Sequence, residues 1–577
     1  MRISRLVISN FRSIHGLKIE LPQICALVGP NNAGKSNILL AIQRVLGREW
    51  VSVSNFEEED VYTHQSDLDL SIALTVDPPI AYRKFKDANP VDISTLSFEF
   101  TRYKVGEQKG QRRLEQKCFG PSGKPPMVLS KAPRKGQQPE YQPLVNIPSE
   151  VRDRIPVIYI GTNRSLKEHL PSARYSLLRQ LFEDIDRDLH DPAQKIRVRR
   201  ADGIETDVSR VSQFRSLIDA AMRFLRTGAF ERLEASIKNN ALRQLGFDPA
   251  TDADKMDFFF APFDTMDFYR ALELRVREGQ FTISATELGE GVQNALVLAI
   301  LQAFEERRKQ GAILLIEEPE MFLHPQMQRS LYKTIREIGK TNQVIYTTHS
   351  PHFVSVPDHL DVVLVRRGLK GTEVRRSDLP SNEKRREKLI KELNPERNEL
   401  FFATRLLLVE GDTEKLAIPE YGGRLGLDLD REGATIVEVG GKRNLPEFVL
   451  IAISFGIPLG ILYDEDSSDF KDRRDEEKEF NEQLDAFQKS DGSVRVWRLS
   501  KNYEDHLRTK LGDKKYQELC QKYSNVGKPT RARLIACEIE LEIPDPIQDI
   551  LTWLSPSAAK RAQAGTTTPT LSGTSPA

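Results

Sequence analysis

The stretch GPNNAGKS, from Gly29 to Ser36, constrains this chain more than any other, because an apolar run (ICALV) precedes it and a helical pattern (NILLAIQRVL) follows. Strand, glycine-rich turn and helix in that order make a phosphate-binding loop, the opening unit of an α/β domain. Glycines let the backbone wrap a phosphate with its N–H groups, and the helix start adds a favourable partial charge. The expected cofactor-binding set is Gly29, Asn31, Asn32, Ala33, Gly34, Lys35 and Ser36, with Lys35 on the β/γ-phosphates and Ser36 on magnesium. The bland alternative, an ordinary glycine turn, does not require this flanking strand and helix.

AILLIEEPE, Ala312 to Glu320, is an apolar strand that delivers carboxylates at its carboxyl end, where open α/β sheets bind ligands. As a Walker B strand it sets Glu317 on magnesium and Glu318 on the attacking water. The alternative is a pair of exposed acids starting a helix. VIYTTHSP, Val344 to Pro351, is a second buried strand, ending in His349, which could contact a γ-phosphate. Phosphate loop, acidic strand and histidine strand in that order resemble the ABC-type ATPases. By that resemblance ATELGEGVQNAL is a signature motif, whose Gly289 and Gly291 would close on nucleotide held by a second subunit. Its wording departs from the family's usual LSGG, so a plain helix N-terminus is the alternative there. The resemblance implies ATP with Mg2+ as cofactor and a homodimer or higher homo-oligomer.

A second acidic centre lies further on. LLLVEGDTE, Leu406 to Glu414, is a buried strand that ends in Glu410, a glycine turn, and Glu414 at a helix start. GILYDED then puts Asp464 and Asp466 at i and i+2, on one face of a strand. Clustered carboxylates repel unless divalent cations bind them, and hard oxygen donors favour Mg2+ or Mn2+. Acidic turn residues of an ordinary doubly wound domain are the alternative. Glutamate after one strand and DxD after a later one resembles a TOPRIM domain, whose two-metal chemistry cleaves or transfers phosphodiesters.

An ABC-type ATPase followed by TOPRIM resembles the OLD (overcoming lysogenisation defect) nucleases, which include the endonuclease subunit of Gabija antiphage systems. The matching residues are NFRSI at Asn10 to Ile14, IEEPEMFLHP, VEGDTEK, VEVGGKRN near Gly440, and the DED strand. The resemblance implies Glu410, Glu414, Asp464 and Asp466 as metal ligands, with Glu504 of LSKNYEDHL as a further one and Lys528 of GKPTRAR on the cleaved phosphate. It also implies an ATP-regulated DNA endonuclease in phage defence, with a UvrD-like helicase as a further partner. The competing class is a RecF/SMC-like ATP-driven DNA-binding or sensing protein without nuclease activity.

At 577 residues the chain exceeds one core, so several domains are expected. Strand and helix patterns divide it into an ATPase first part (1–165), a helical insertion with a dimerisation-like character (166–250), an ATPase second part (251–367), a linker (368–400), the TOPRIM domain (401–554) and a disordered tail (555–577). Residues 104 to 142, rich in Lys, Gly, Pro and Gln, read as a long loop. In the insertion, Phe214, Leu217, Ile218, Ala221, Phe224 and Leu225 recur at three and four, as a core-facing stripe or a self-association face. Lys plus Arg equals Asp plus Glu at 84 each, so DNA contact must rest on local basic clusters. The four cysteines show no metal spacing, no export signal is evident, and the uncharged stretch Phe448 to Tyr463 falls short of the ~20 residues of a membrane span. A cytoplasmic chain with no membrane partner is expected.

Overall fold

Apolar runs that read as buried strands form the parallel part of one large sheet. The computed structural model describes residues 1–556 apart from 48–49, 66–67, 133–137, 163–165, 174–175, 200–204, 257–263, 308–310, 381, 392–394, 466–473 and 539. Among them, eleven strands pair in the order Arg112–Phe119, Val91–Arg102, Leu70–Tyr82, Arg2–Phe11, Ile14–Glu20, Gly371–Arg376, Val362–Gly368, Ile24–Val28, Gln343–Thr348, Ile313–Ile316 and Val157–Ile160. The last five run parallel and the others antiparallel. Ile24–Val28, Ile313–Ile316 and Gln343–Thr348 are buried at every position, as parallel strands covered on both faces require. Leu70–Val76 instead alternates buried and half-buried residues, the signature of one covered face.

Two segments depart from the sequence reading. Within 104–142, expected as a loop, Arg112–Phe119 is an edge strand of the large sheet, and Met127–Leu129 pairs with Tyr141–Pro143. Its charges masked the pattern, yet an edge strand tolerates them when they pair across the ladder. Lys117 meets Glu99 at 2.7 Å and Arg112 meets Glu58 at 2.8 Å, so part of the positive charge of this segment is paired within the chain. At the start of the charged segment 368–400, Gly371–Arg376 is also a strand of the sheet.

Residues 163–309 form a separate compact unit. It holds helices Leu177–His190, Arg210–Leu225, Gly228–Gln244 and Glu290–Arg307 and two short hairpins. The helical run expected from 208 to 245 breaks at 226–227, where the Thr227 hydroxyl caps the second helix through Phe230 N–H at 3.3 Å. The stripe expected to face a core does not: no residue of Arg210–Leu225 is buried, and Phe224 is 86% exposed. Periodicity reports an amphipathic helix, not which surface covers its apolar side.

The other unit, 1–162 with 310–577, also carries a second sheet of four parallel strands, ordered Ala434–Glu438, Arg405–Val409, Leu459–Asp464 and Val494–Leu499. The uncharged stretch from 448 resolves into helix Leu445–Ser454 and the interior strand Leu459–Asp464. Gly460 lets two indoles pack there, since a Cβ would lie 2.8 Å from Trp497 and 2.9 Å from Trp553. No helix among the described residues is long and apolar enough to cross a membrane. The expected tail lies, from residue 557 on, outside the described residues.

Candidate functional site

At the carboxyl edge of the large sheet, the loop after Ile24–Val28 turns into helix Lys35–Leu46. Two glycines make that turn possible. A Cβ on Gly29 would sit 2.0 Å from the Val365 carbonyl oxygen; Gly34 has φ +104°, and its Cβ would meet Thr372 Oγ1 at 2.1 Å. The close neighbours are themselves a clasp. The Thr372 hydroxyl donates to the Ala33 carbonyl at 2.9 Å and contacts the Ser13 hydroxyl at 2.7 Å, and Asn37 Nδ2 donates to Ser13 Oγ at 2.8 Å. Ser13 belongs to the NFRSI motif, but nothing local marks Thr372, 359 residues away.

Lys35 is buried and donates to the carbonyls of Gly29 (2.9 Å) and Pro30 (3.0 Å). Burial lowers its pKa to about 8, against the opposing pull of Glu318 and Glu320. Asn31, Asn32 and Ser36 are exposed around it, whereas Ala33 is buried. Glu317 is buried after its strand, its N–H donating to Ile160 O at 2.8 Å. Glu318 stands at φ +42° with its N–H held by Thr347, and its carboxylate lies 3.8 Å from His349 Nε2. Burial first, then the Lys35 charge, lowers the His349 pKa, which favours a neutral imidazole. Glu320, in the sequence motif but given no role, accepts from His349 N–H at 2.6 Å and the Thr348 hydroxyl at 2.9 Å. Lys35, Glu317, Glu318 and His349 thus share one sheet edge, as read. Gly289 and Gly291 lie at the start of helix Glu290–Arg307 in the separate unit.

The second centre stands at the carboxyl edge of the four-stranded sheet. Adjacent parallel strands end in Glu410 and Asp464, and the Asp464 N–H donates to Glu410 Oε1 at 2.7 Å. Glu414, in the first turn of helix Asp412–Arg424, is 5% exposed. Burial, reinforced by the Glu504 charge, raises its pKa to about 7. Glu504 opens helix Tyr503–Leu511, and Lys528 opens helix Lys528–Ala536, which packs on Asp412–Arg424. Lys528 Nζ meets Glu504 Oε2 at 3.0 Å. Burial works against the lysine's charge, but Glu504, Asp464 and Glu414 outweigh it and raise its pKa. Five of the six residues read for this centre are thus joined in a chain of neighbours, Glu410 to Asp464 by a hydrogen bond and Asp464, Glu414 and Glu504 through the charge of Lys528, and Asp466 lies outside the described residues.

The donor set suits a hard divalent cation. Glu504 Oε1 is buried without a hydrogen-bond partner, and Glu414 is held near neutrality by surroundings that a cation would reverse. Among the described residues no three His, Cys, Asp or Glu side chains already form a cage. Lys442 was not singled out by its spacing. Buried in the GGKRN turn, it donates to the carbonyls of Asp464 and Glu465 and lies 3.5 Å from Glu477.

Comparison with known proteins identifies the two domains that carry these centres. Residues 24–355 match the family described as "AAA domain, putative AbiEii toxin, Type IV TA system". Residues 401–466 match "Overcoming lysogenization defect protein-like, TOPRIM domain". The chain is 30% identical over 487 residues to an "OLD nuclease" of Thermus scotoductus (strain ATCC 700910 / SA-01), covering 82% of this chain and 84% of that protein. It is 24% identical to the "Old nuclease" of Escherichia phage P2 (80% of this chain, 77% of that one) and 23% identical to "Endonuclease GajA" of Bacillus cereus (strain VD045) (76% and 71%).

Proposed function

This chain belongs to the OLD nuclease family, an ATPase domain joined to a TOPRIM nuclease domain, and on that premise we propose that it is a DNA endonuclease whose cleavage is set by ATP. The observation that carries the reading is that Glu410 Oε1 accepts the Asp464 backbone N–H at 2.7 Å, which sets the two acids at one strand edge, while Lys528, 3.0 Å from Glu504, also feels the charges of Asp464 and Glu414. Glu410, Glu414, Asp464 and Glu504, with Asp466, would hold Mg2+ or Mn2+, which supplies an activated water and stabilises the leaving oxygen. Lys528 stabilises negative charge developing on the cleaved phosphate. Lys442, through the backbone of Asp464 and Glu465, keeps the acidic turn in place.

At the other centre, Lys35 and the surrounding loop bind the phosphates of ATP, Ser36 and Glu317 hold Mg2+, and Glu318 and His349 act at the γ-phosphate. Gly289 and Gly291 act on the nucleotide of a second copy, so the working form is a homodimer or a higher homo-oligomer. The exposed stripe of helix Arg210–Leu225 supports self-association in the insertion. Kinship with the GajA endonuclease supports a part in antiphage defence; a place inside the cell and a UvrD-like helicase partner are proposed from the family resemblance alone. Boundaries near 165 and 400 are the proposed domain limits; the limits expected at 250 and 367 move outward, since the separate unit runs to 309 and the large sheet takes in Gly371–Arg376.

Supercoiled plasmid incubated with Mg2+ or Mn2+, with and without ATP, tests the reading. Nicked or linear product is expected from the unmodified chain and from Lys35→Ala without ATP, but not from Asp464→Ala. Cleavage that survives in Asp464→Ala, or ATP hydrolysis that is lost with it, contradicts the assignment of the two centres.

A further inference from the structure

The segment that joins the two catalytic centres carries side chains that a plain tether would not need. Residues Pro395–Phe402 form a 3-10 helix in which Arg397 and Asn398 are 7% and 6% exposed. Buried polar groups are unfavourable unless hydrogen-bonded, and a buried guanidinium more so. Here both are well satisfied, in opposite directions.

Asn398 serves the ATPase side. Its Nδ2 donates to the carbonyls of Pro351 and Val354, each at 2.9 Å, and its Oδ1 accepts from Val356 N–H at 3.1 Å. Those three residues are the loop that follows His349. The same loop is tied back to the nucleotide edge by Glu320, which accepts from His349 N–H, and by Tyr346, whose hydroxyl donates to Phe353 O at 2.6 Å.

Arg397 serves the nuclease side. Its Nε donates to Glu438 O at 3.0 Å, and its Nη2 reaches both Glu438 carboxylate oxygens at 3.0 Å. Glu438 ends the strand beside the one that carries Glu410 and accepts from Gly440 N–H at 2.8 Å. Gly441 N–H donates to the Glu410 carbonyl at 2.8 Å, Val439 N–H donates to Val409 O at 3.1 Å, and Glu410 receives the Asp464 N–H. Every link between the His349 loop and the metal-facing acids is thus a hydrogen bond or one turn of backbone.

We propose that Asn398 and Arg397 are paired positioning residues, through which the nucleotide state read at His349 shifts Glu438, the Gly440–Gly441 turn and hence Glu410. This deepens the reading of an ATP-regulated nuclease and rests on it. A displacement of the His349 loop pulls three hydrogen bonds on a short helix, and the neighbouring residue hands that movement to a guanidinium that grips Glu438 at two points, its carbonyl through Nε and its carboxylate through Nη2. Coupling of this kind is reciprocal in binding: the factor by which ATP changes DNA affinity at the nuclease centre is the factor by which bound DNA changes ATP affinity.

The test measures plasmid cleavage by the full chain with Mn2+, with and without ATP, in the unmodified protein, Arg397→Lys and Asn398→Leu. The expected ratio between the two conditions is about fivefold or more in the unmodified chain. It should fall below about twofold in either variant, while cleavage without ATP and ATP hydrolysis without DNA stay within about twofold of the unmodified values. Variants that keep the full ratio overturn the relay and leave the nuclease reading standing. An unmodified chain that cleaves at one rate with or without ATP overturns both the relay and ATP control. Should the variants fail to fold, hydrogen exchange of the unmodified chain decides. ATP is expected to change exchange at residues 350–356, 396–402 and 438–441, and an unchanged 438–441 segment overturns the relay.

Discussion

Glu414 shows how much one buried carboxylate governs. Burial, with the neighbouring Glu504 charge, moves its pKa from 4.5 to about 7. Between those values the folded chain keeps a proton that the unfolded chain has released. Its contribution to stability is therefore full below pH 4.5 and lost as the pH rises through 7, by about 3 kcal/mol in all. Denaturant titrations of the metal-free protein from pH 4.5 to 8 should show this decline, and Glu414→Gln should flatten it. Lys528 acts on the same group from the opposite side. Lys528→Met should lower the cleavage rate by about 100- to 1,000-fold, with partial recovery in Lys528→Arg, as single-turnover cleavage would report. Glu410, Glu414 and Asp464 were legible in the sequence because strand, acid and turn lie within a few residues of one another. Lys442, Thr372, Arg397 and Asn398 were not, since each acquires its role from a partner on another element: Thr372 clasps a loop 339 residues away, and Arg397 pairs with Glu438.

Elements follow a similar division. Strands buried on both faces and the helix after the phosphate loop were readable from uninterrupted apolar runs, whereas Arg112–Phe119 was not, because its half-buried positions carry charges that find their partners only in the folded sheet. The phosphate loop is held at Ala33 and Gly34 by the Ser13–Thr372 clasp, so its shape belongs to a distant turn and a distant strand as well as to its own glycines. Gly34→Ala forces a Cβ into Thr372 Oγ1 at a backbone angle that L-residues rarely adopt. Strain of about 1–3 kcal/mol predicts an ATP affinity weaker by about 5- to 150-fold by calorimetry, with cleavage in the absence of ATP retained. Helix Arg210–Leu225 was readable as amphipathic, but its partner was not, because no pattern within one chain names the surface that covers it.

At the scale of the whole molecule, two chemistries share one compact unit, and the insertion forms another. An exposed apolar stripe that includes Leu217, Phe224 and Leu225 predicts that the chain sediments as at least a dimer and that Phe224→Glu shifts it toward monomer in light scattering. The same variant should slow ATP hydrolysis, if the signature glycines serve a second copy, without touching the acids of the nuclease centre. All of this depends on carboxylates from separate strands gathering a divalent cation. The direct measurement is Mn2+ binding followed by electron paramagnetic resonance, without nucleotide, in the unmodified chain, Glu410→Gln and Asp464→Asn. Loss of bound Mn2+ in both variants, at unchanged melting temperature, is the predicted result; binding that is indifferent to both substitutions contradicts the account.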